Sequence, residues 1–422
     1  MRPFQQILRS TFRRPPSMTK STKVASVGVS SLAVAAYAVT VAAPKSVADK
    51  TKDHHVKNGR GETVKFRNPH PSYIAPTLPL LFTMALKNWF GIEAWPKPRL
   101  SDKLVKVVKP QFLTTRTACS ELRATWLGHA CYYVEYPSGL RVLFDPVFED
   151  CCSPVSGSGF KRFTEKPCDI GDIPFVDAVI ISHSHYDHLS YPSVLEVQKH
   201  HPNAHFFVPL GLEKWFKESG VSQVTEMDWW DEAEVSIVPT KNPSSATETE
   251  KPIRATFSCL PSQHSSGRTA FDRDRTLWAS WAVRSGTPEK TVWFGGDTGY
   301  RSVPKVPAGV DDRSAEYQHL PICPQFKEIG EHLNSIDLGL IPIGAYDPRY
   351  LFSGVHANPF DSVEIFRDTR CKRAMGIHWG TWVLTREDPL EPPKMLKEAL
   401  RRRGMPETDV FDVCDIGESR EF

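Results

Sequence analysis

The sequence predicts an α/β protein in which sheets are covered by helices in layers, and two features support this class. From about residue 121, short runs rich in β-branched and aromatic residues alternate with helical patterns. Strand runs interspersed with helices are typical of layered sheets. In addition, residues suited to metal binding follow several strand runs, where a rigid element can aim side chains at a cleft.

The predicted elements follow one another along the chain. The predicted strands are ATWLGHACYYVEY, RVLFDPVF, DAVIIS, AHFFVP, VSIVPT, IRATFSCLP, LWASWAVR, TVWFGGDT, LGLIPIG and RAMGIHWG. The helical patterns are PSVLEVQKH, GLEKWFKES and FDSVEIFRDT. Two polar, turn-rich segments, 240–252 and 301–318, are predicted to be surface loops.

The N-terminal region differs in kind from the rest of the chain. Residues 1–23 are basic and contain no acidic residue, the first of which is Asp49; this composition is typical of a mitochondrial transit peptide. Residues 24–43 are uncharged and are about long enough to cross a bilayer. They consist mostly of small residues, so two alternatives stay open: a transmembrane anchor and a cleaved leader.

Residues 44–110 are predicted to form a linker and an N-terminal extension, and residues 111–422 the globular domain. Within the extension, residues 73–96 are apolar, but their prolines and Lys87 argue against a membrane-spanning helix. This segment could rest on a lipid surface through side chains such as Phe82 and Trp89. It could also pack on the globular domain, which is the alternative we favour from sequence.

Composition narrows the class of protein. The 422 residues, of which 40% are hydrophobic and 24% charged, are ordinary for a globular chain. The net charge of +3, without a basic stripe interleaved with aromatic residues, argues against a nucleic-acid partner. The nine cysteines are scattered and form no CxxC pair, so we expect reduced thiols and neither a zinc ribbon nor a disulfide framework.

The segment ISHSHYDHLS (181–190) concentrates potential metal ligands directly after the predicted strand DAVIIS. His183 and His185 are two residues apart, so on an extended segment their side chains project the same way. Asp187 and His188 follow at the start of a predicted helix. One metal ion cannot easily use all four residues, whereas two adjacent ions can, and imidazole with carboxylate suits zinc or a similar ion.

Further candidate ligands end later strand runs. These are His264 in SCLPSQHSS, Asp297 in FGGDTGY and His378 in GIHWGTW. A single histidine after a strand is more often structural, and we interpret His200, His201 and His205 in this way. Together with the 183–188 cluster, however, the three residues predict a metal site along one sheet edge.

These motifs resemble the metallo-β-lactamase superfamily. The segments LFDPVF, SPVSGSGFKRFTEKPC, IPIGAYDPRY and GESR, added to the metal motif, narrow the resemblance to N-acyl-phosphatidylethanolamine-hydrolysing phospholipases D. The resemblance covers roughly residues 110–420. It implies an αββα sandwich of two mixed sheets flanked by helices, with a dinuclear metal site at one edge.

The resemblance also implies roles for individual residues. Two zinc ions per chain would be bound. The first trio, His183, His185 and His264, would hold one ion. The second trio, Asp187, His188 and His378, would hold the other, and Asp297 would bridge the two ions. Catalytic roles would fall to Asp187, Asp297 and His356, and substrate contacts to His356 and Tyr346. Ser265 and Asn358 depart from the family pattern, which bears on the acyl-chain site.

The implied activity is hydrolysis of N-acyl-phosphatidylethanolamine to N-acylethanolamine and phosphatidate, with a membrane phospholipid as substrate. A lactonase or another acyl hydrolase on the same fold is the nearest alternative. A nuclease and a metal-binding scaffold without turnover are more distant ones. The expected location is a mitochondrial membrane, most simply the inner one, with another intracellular membrane as the alternative; a homodimer stays open.

Overall fold

The computed structural model describes residues 37–422 except 49, 117–119, 154–159, 240–251, 270 and 308. Its helices of four or more residues are α1 (Leu78–Trp89), α2 (Tyr191–His200), α3 (Glu213–Glu218), α4 (Gln325–Leu333), α5 (Arg349–Phe352), α6 (Pro359–Asp368) and α7 (Glu391–Arg402). Its strands are β1 (Tyr37–Val41), β2 (Lys45–Ser46), β3 (His55–Lys57), β4 (Thr63–Phe66), β5 (Arg123–Gly128), β6 (Cys131–Glu135), β7 (Arg141–Phe144), β8 (Ala178–Ile180), β9 (His205–Pro209), β10 (Val224–Met227), β11 (Asp231–Pro239), β12 (Ile253–Leu260), β13 (Ser280–Ser285), β14 (Lys290–Phe294), β15 (Ile336–Pro342), β16 (Cys371–Ile377), β17 (Phe411–Asp412) and β18 (Ser419–Glu421).

Two mixed sheets form the centre of the fold. One has the order β1-β11-β12-β13-β14-β15-β16-β17, and β2 also pairs with β11. Its β11–β14 part is antiparallel and its β14–β17 part is parallel. The other sheet has the order β10-β9-β8-β7-β6-β5-β18, with β7–β10 parallel and the remaining pairs antiparallel.

The sheets pack face to face through large apolar side chains. Phe207 of β9 stacks on Phe257 of β12 with ring centroids 4.2 Å apart. Phe144 of β7 meets Phe294 of β14 at 5.0 Å. Strands buried on both faces need near-continuous apolar runs, which explains why VDAVII and TVWF are not alternating in sequence.

Helices cover the outer faces of both sheets. Val194 of α2 and Phe216 of α3 belong to the apolar cluster of Val179 and Phe206 on the β7–β10 side. On the other side, Phe326 of α4, Val363 of α6 and Leu396 of α7 join the main core. The predicted αββα sandwich with two mixed sheets is therefore confirmed.

The beginning of the described chain corrects one prediction. Tyr37–Val41, the end of the candidate transmembrane segment 24–43, is an edge strand that pairs antiparallel with β11 from Tyr37↔Pro239 to Val41↔Val235. The segment is half-buried in alternation, and a strand needs only that period-two pattern. The remainder of the segment lies outside the described residues. Among the described helices, none combines the length and the apolar character that a membrane span requires.

Much of the segment predicted as a linker and N-terminal extension, residues 44–110, is folded onto the globular domain. The β3–β4 hairpin is held by Asp228, whose carboxylate lies 2.8 Å from His54 Nε2 and 2.9 Å from His55 Nε2. Lys52 Nζ donates to the same carboxylate at 2.6 Å. Burial alone would raise the pKa of Asp228, but the hydrogen bonds from His54 and Lys52 outweigh it and hold that pKa below its ordinary range. The cluster therefore anchors the extension to β10.

We predict that the edge strand β1 contributes to stability. A chain that starts at residue 45 is expected to have a Tm at least about 2 °C below that of a chain that starts at residue 37, because it loses the β1 pairing and the Tyr37 ring beneath Arg116 (4.3 Å). Thermal unfolding of both chains, followed by circular dichroism, measures the difference. Equal Tm values would contradict this role for β1.

Candidate metal centre

The candidate ligands lie in loops that leave the two sheets at a common edge. The 183–188 cluster follows β8, His264 follows β12, Asp297 follows β14 and His378 directly follows β16. Strands β14 and β16 both run parallel to β15, and β12 runs in the same direction because two antiparallel pairings separate it from β14. All these strands therefore deliver their next residues to one edge, where α/β folds place their sites.

His183, His185 and His264 form the first group. His183 Nε2 lies 2.8 Å and His264 Nε2 lies 3.2 Å from His185 Nδ1. The ligand atoms of these residues lie within 4.8 Å of one another, close enough to share one ion. This is the first trio that the resemblance implied.

Asp187, His188 and His378 form the second group. His188 Nε2 and His378 Nε2 lie 3.3 and 3.4 Å from Asp187 Oδ2. Asp297 lies between the two groups: its Oδ2 is 3.0 Å from His378 Nε2, 3.2 Å from His188 Nε2 and 3.6 Å from His264 Nε2. The structure thus brings all the predicted ligands together and gives Asp297 the central position that a bridging carboxylate requires.

A buried carboxylate supports the ligands from behind. Asp145, which follows β7, places Oδ2 2.6 Å from His188 Nδ1 and accepts a hydrogen bond from Ser182 Oγ at 2.5 Å. A carboxylate on the far nitrogen of a ligand histidine fixes its ring and leaves Nε2 for the ion. Asp145 was not predicted, although an acid directly after the strand RVLF was a usable signal.

The charges of the site depend on one another. Burial lowers the pKa values of His183 and His264 well below their ordinary range, so these rings are neutral. Burial acts the same way on His378, but Asp297 and Asp187 outweigh it and raise its pKa to about 9. His188 and His378 in turn hold the pKa of Asp297 well below its usual range despite burial. A divalent cation would replace protons as the counter-charge of both carboxylates.

The unpaired atoms of the site fit a metal. Among the described residues, His188 Nε2, His378 Nε2 and Asp297 Oδ1 are buried and make no hydrogen bond, although other polar atoms of the site are near. Buried polar atoms without a partner are rare and call for an explanation such as an ion. Imidazole nitrogens and carboxylate oxygens together suit a divalent transition metal.

His129, in the turn between β5 and β6, is a member of the site that sequence reasoning missed. Its Nε2 lies 3.1 Å from Asp187 Oδ2, and its ring centroid is 4.2 Å from that of His378. Burial lowers its pKa to about 3, so the ring is neutral. Its backbone is left-handed (φ 51°), a conformation uncommon for histidine. No neighbouring residue in the sequence marks it as part of the cluster.

The two residues predicted to contact substrate have different surroundings. His356 lies at the rim of the cluster, with Nδ1 3.8 Å from Asp297 Oδ2. Tyr346 is buried, and its hydroxyl donates to Glu391 Oε1 at 2.7 Å, so that hydroxyl is already engaged in holding α7. The predicted substrate contact of Tyr346 finds no support in this placement.

The fold and the clustered ligands define a metallo-hydrolase of the β-lactamase class. A family model described as "Beta-lactamase superfamily domain" matches residues 140–379. The N-acyl-phosphatidylethanolamine-hydrolyzing phospholipase D 1 of Caenorhabditis elegans is 36% identical over 305 residues, which cover 71% of this chain and 75% of that protein. The chain therefore belongs to the N-acyl-phosphatidylethanolamine-hydrolysing phospholipase D family of this superfamily.

A second relative and a solved structure are also similar to this chain. A mitochondrial N-acyl-phosphatidylethanolamine-hydrolyzing phospholipase D of Saccharomyces cerevisiae is 32% identical over 275 residues, 65% of this chain but only 50% of that protein. A metallo hydrolase structure from Ignicoccus hospitalis is 18% identical, with a TM-score of 0.44 over 72% of this chain and 99% of that one.

Proposed function

We propose that the chain is a zinc-dependent phosphodiesterase that hydrolyses N-acyl-phosphatidylethanolamine to phosphatidate and N-acylethanolamine. The observation that carries the proposal is the cluster around Asp297, with two trios of ligands and His356 at its rim. Relatives named for this reaction support the choice of substrate. Two zinc ions are proposed because the ligands fall into two groups that share Asp297.

In the proposed reaction, the oxygen of a water molecule bonds to phosphorus, and the bond from phosphorus to the ethanolamine oxygen breaks. The leaving oxygen takes a proton and departs as N-acylethanolamine. The bound metal ions would neutralise charge on the phosphoryl oxygens and lower the pKa of the attacking water. The chain's own contribution is to hold the ligands in place, which Asp145 and Ser182 do from behind His188.

His356 is the residue proposed to touch the substrate. Among the described residues its buried Nδ1 makes no hydrogen bond, and its side chain is 14% exposed at the rim of the site. Burial lowers its pKa to about 4, and the ring is therefore neutral at pH 7. A neutral imidazole still donates one hydrogen bond, which would suit a phosphoryl oxygen or the leaving oxygen.

Helix α1 and the residues after it form the proposed lipid-contacting surface, which we call the apolar ridge (residues 78–92). Trp89 is 84% exposed, Phe90 and Ile92 are each 70% exposed, and Phe82 is 66% exposed. The helix therefore leaves most of its large apolar side chains exposed, while Leu81 and Met84 are half-buried. Contiguous exposed apolar residues of this size mark an interaction surface, and aromatic side chains suit the membrane interface.

The apolar ridge is tied at both ends to loops of the site. Before the helix, Ile74 N donates to Ser302 Oγ at 2.7 Å, five residues beyond Asp297. After the helix, Glu93 pairs with Arg386, which pairs with Asp347 at 2.6 Å in the segment between β15 and α5. A membrane that contacts the ridge would therefore lie beside the rim of the metal centre.

The function is tested by incubating the purified full chain, loaded with zinc, with vesicles that contain N-acyl-phosphatidylethanolamine, followed by mass spectrometry. Phosphatidate and N-acylethanolamine should form together, and neither should form when the protein has been treated with a chelator. Release of fatty acid instead would favour the lactonase or acyl-hydrolase alternative. No product from zinc-loaded protein would overturn the proposal.

We predict that the apolar ridge is needed for binding to membranes but not for hydrolysis of the phosphodiester bond. The double variant Phe82→Ser/Trp89→Ser should bind vesicles at least about tenfold more weakly, because burying one such side chain contributes about 1.5–3 kcal/mol. Its hydrolysis of a water-soluble phosphodiester should stay unchanged. Val64→Ser, at an exposed apolar residue of the β3–β4 hairpin, is the matched control in vesicle sedimentation. Unaltered vesicle binding by the double variant would rule out this surface.

We also propose a mitochondrial membrane as the location. The acid-free basic segment 1–23 and the name of the yeast relative support this location. Fractionation of cells that express the full chain tests it, and recovery in a non-mitochondrial membrane fraction would contradict it.

A further inference from the structure

The segment that joins β4 to α1 lies beside the loop that carries His264, and we call its residues 67–74 the strap. The strap lies outside the part of the chain that the superfamily model matches. It is anchored upstream where Phe66 N donates to Asp274 O at 2.7 Å. Downstream it leads into the apolar ridge. Between these points it runs along the loop that carries His264.

Two strap side chains bond to that loop. Asn68 Nδ2 donates to the backbone carbonyl of His264 at 2.7 Å. Ser72 Oγ donates to Gln263 Oε1 at 2.5 Å. Gln263 in turn donates from Nε2 to Gly354 O at 3.0 Å, so the strap reaches the loop of His356 through one side chain.

The same loop sets the ring of His264. Its Nδ1 lies 2.9 Å from the backbone carbonyl of Val355, and because a carbonyl only accepts, Nδ1 carries the proton. Nε2 is then left with its lone pair facing the other ligands. The hydrogen bonds of Gln263 and His264 thus link the strap, the first ligand group and the segment 354–356.

Water has little access to the contact between Ser72 and Gln263 or to His264. Ser72, Gln263 and His264 are each 1% exposed. Removing one partner of a buried hydrogen bond leaves the other partner unsatisfied, which costs more than the bond itself contributes. The strap would therefore keep the loop of Gln263 and His264 from moving.

We propose that Asn68 and Ser72 are positioning residues of the metal centre, which hold His264 and, through Gln263, the loop of His356. The strap makes the N-terminal extension a part of the active site. It also connects the apolar ridge to the first ligand group along one continuous piece of chain. This inference rests on the proposed metal site and adds residues to it.

The test compares Asn68→Ala and Ser72→Ala in the full chain. Ser285→Ala is the matched control, since Ser285 is a buried serine whose hydroxyl bonds Arg254 O at 2.7 Å, at the end of β13 remote from the ligand loops. Competition with a chelator should show about 10–100-fold weaker binding of one zinc ion in both strap variants and normal binding in the control. Ser72→Thr, which keeps a hydroxyl, should recover much of the affinity.

A metal-independent measurement separates positioning from general stability. In zinc-free protein with ¹⁵N-labelled histidine, the Nδ1 proton of His264 should exchange with solvent faster in the strap variants than in the control. Equal zinc affinity and equal proton exchange in all variants would overturn the inference. So would a loss of affinity that simply follows a lower Tm of the zinc-free protein. Failure of the unaltered chain to bind zinc would instead count against the proposed function, and proton exchange would still decide the role of the strap.

Discussion

Substitution of Asp297 by alanine is expected to lower kcat/KM for N-acyl-phosphatidylethanolamine by about a thousandfold or more while the chain stays folded. Its Oδ2 is the atom nearest to both ligand groups, 3.0 Å from His378 Nε2 and 3.6 Å from His264 Nε2. Residues that act as a unit lose most of the catalysis when any one is removed. The fold should survive, because Asp297 does most to raise the pKa values of His188 and His378, and without it these rings can lose protons.

The measurement pairs steady-state hydrolysis with zinc content and thermal unfolding. Asp337→Asn is the control, since Asp337 lies at the start of β15, at the opposite edge of the same sheet, where it accepts from Thr291 N at 2.8 Å. The double variant Asp297→Ala/His185→Ala should be little worse than either single variant. Strictly multiplicative losses, or full activity in protein without metal, would contradict a shared metal centre.

Substitution of His356 by alanine is expected to lower kcat roughly 10²–10⁴-fold, the range of a positioned proton donor or acceptor, without loss of zinc. His356 Nδ1 is 3.8 Å from Asp297 Oδ2, so it lies beside the candidate metal centre but outside both ligand trios. His356→Gln should be less impaired than His356→Ala, because an amide also donates a hydrogen bond from this position. Vesicle binding should not change, since His356 does not belong to the apolar ridge and only 14% of its side chain is exposed.

Zinc analysis beside the kinetics decides the role of His356. The residue does fall within a third group of ligand-type atoms, with His264 and Asp297. If the alanine variant loses one ion, His356 is itself a ligand, and the assignment of His378 to the second trio has to be revised. If kcat stays within a few-fold of the unaltered chain, His356 does not take part in the chemistry.

The local sequence was enough to predict layered sheets and the candidate ligands, and the family resemblance added the αββα sandwich. Ligand-type residues directly after buried strands are visible in one dimension, because the strand run, the turn and the polar residue are consecutive. His183, His264, Asp297 and His378 each stand in such a pattern, and the parallel course of their strands brings them to one edge. The alternation of Tyr37–Val41 was equally local, but its Ala- and Val-rich composition suited a weak membrane helix as well as a strand.

The tertiary structure alone decided which other residues belong to the site. His129 joins Asp187 across 58 residues, and Asn68 and Ser72 join the His264 loop across more than 190. Nothing near these residues in the chain signals such partners, because the contacts exist only once the sheets have closed and the extension has folded back. The polar part of residues 44–110 resembled a linker for the same reason: a polar side chain that bonds a distant buried carbonyl cannot be told in the sequence from one that bonds water.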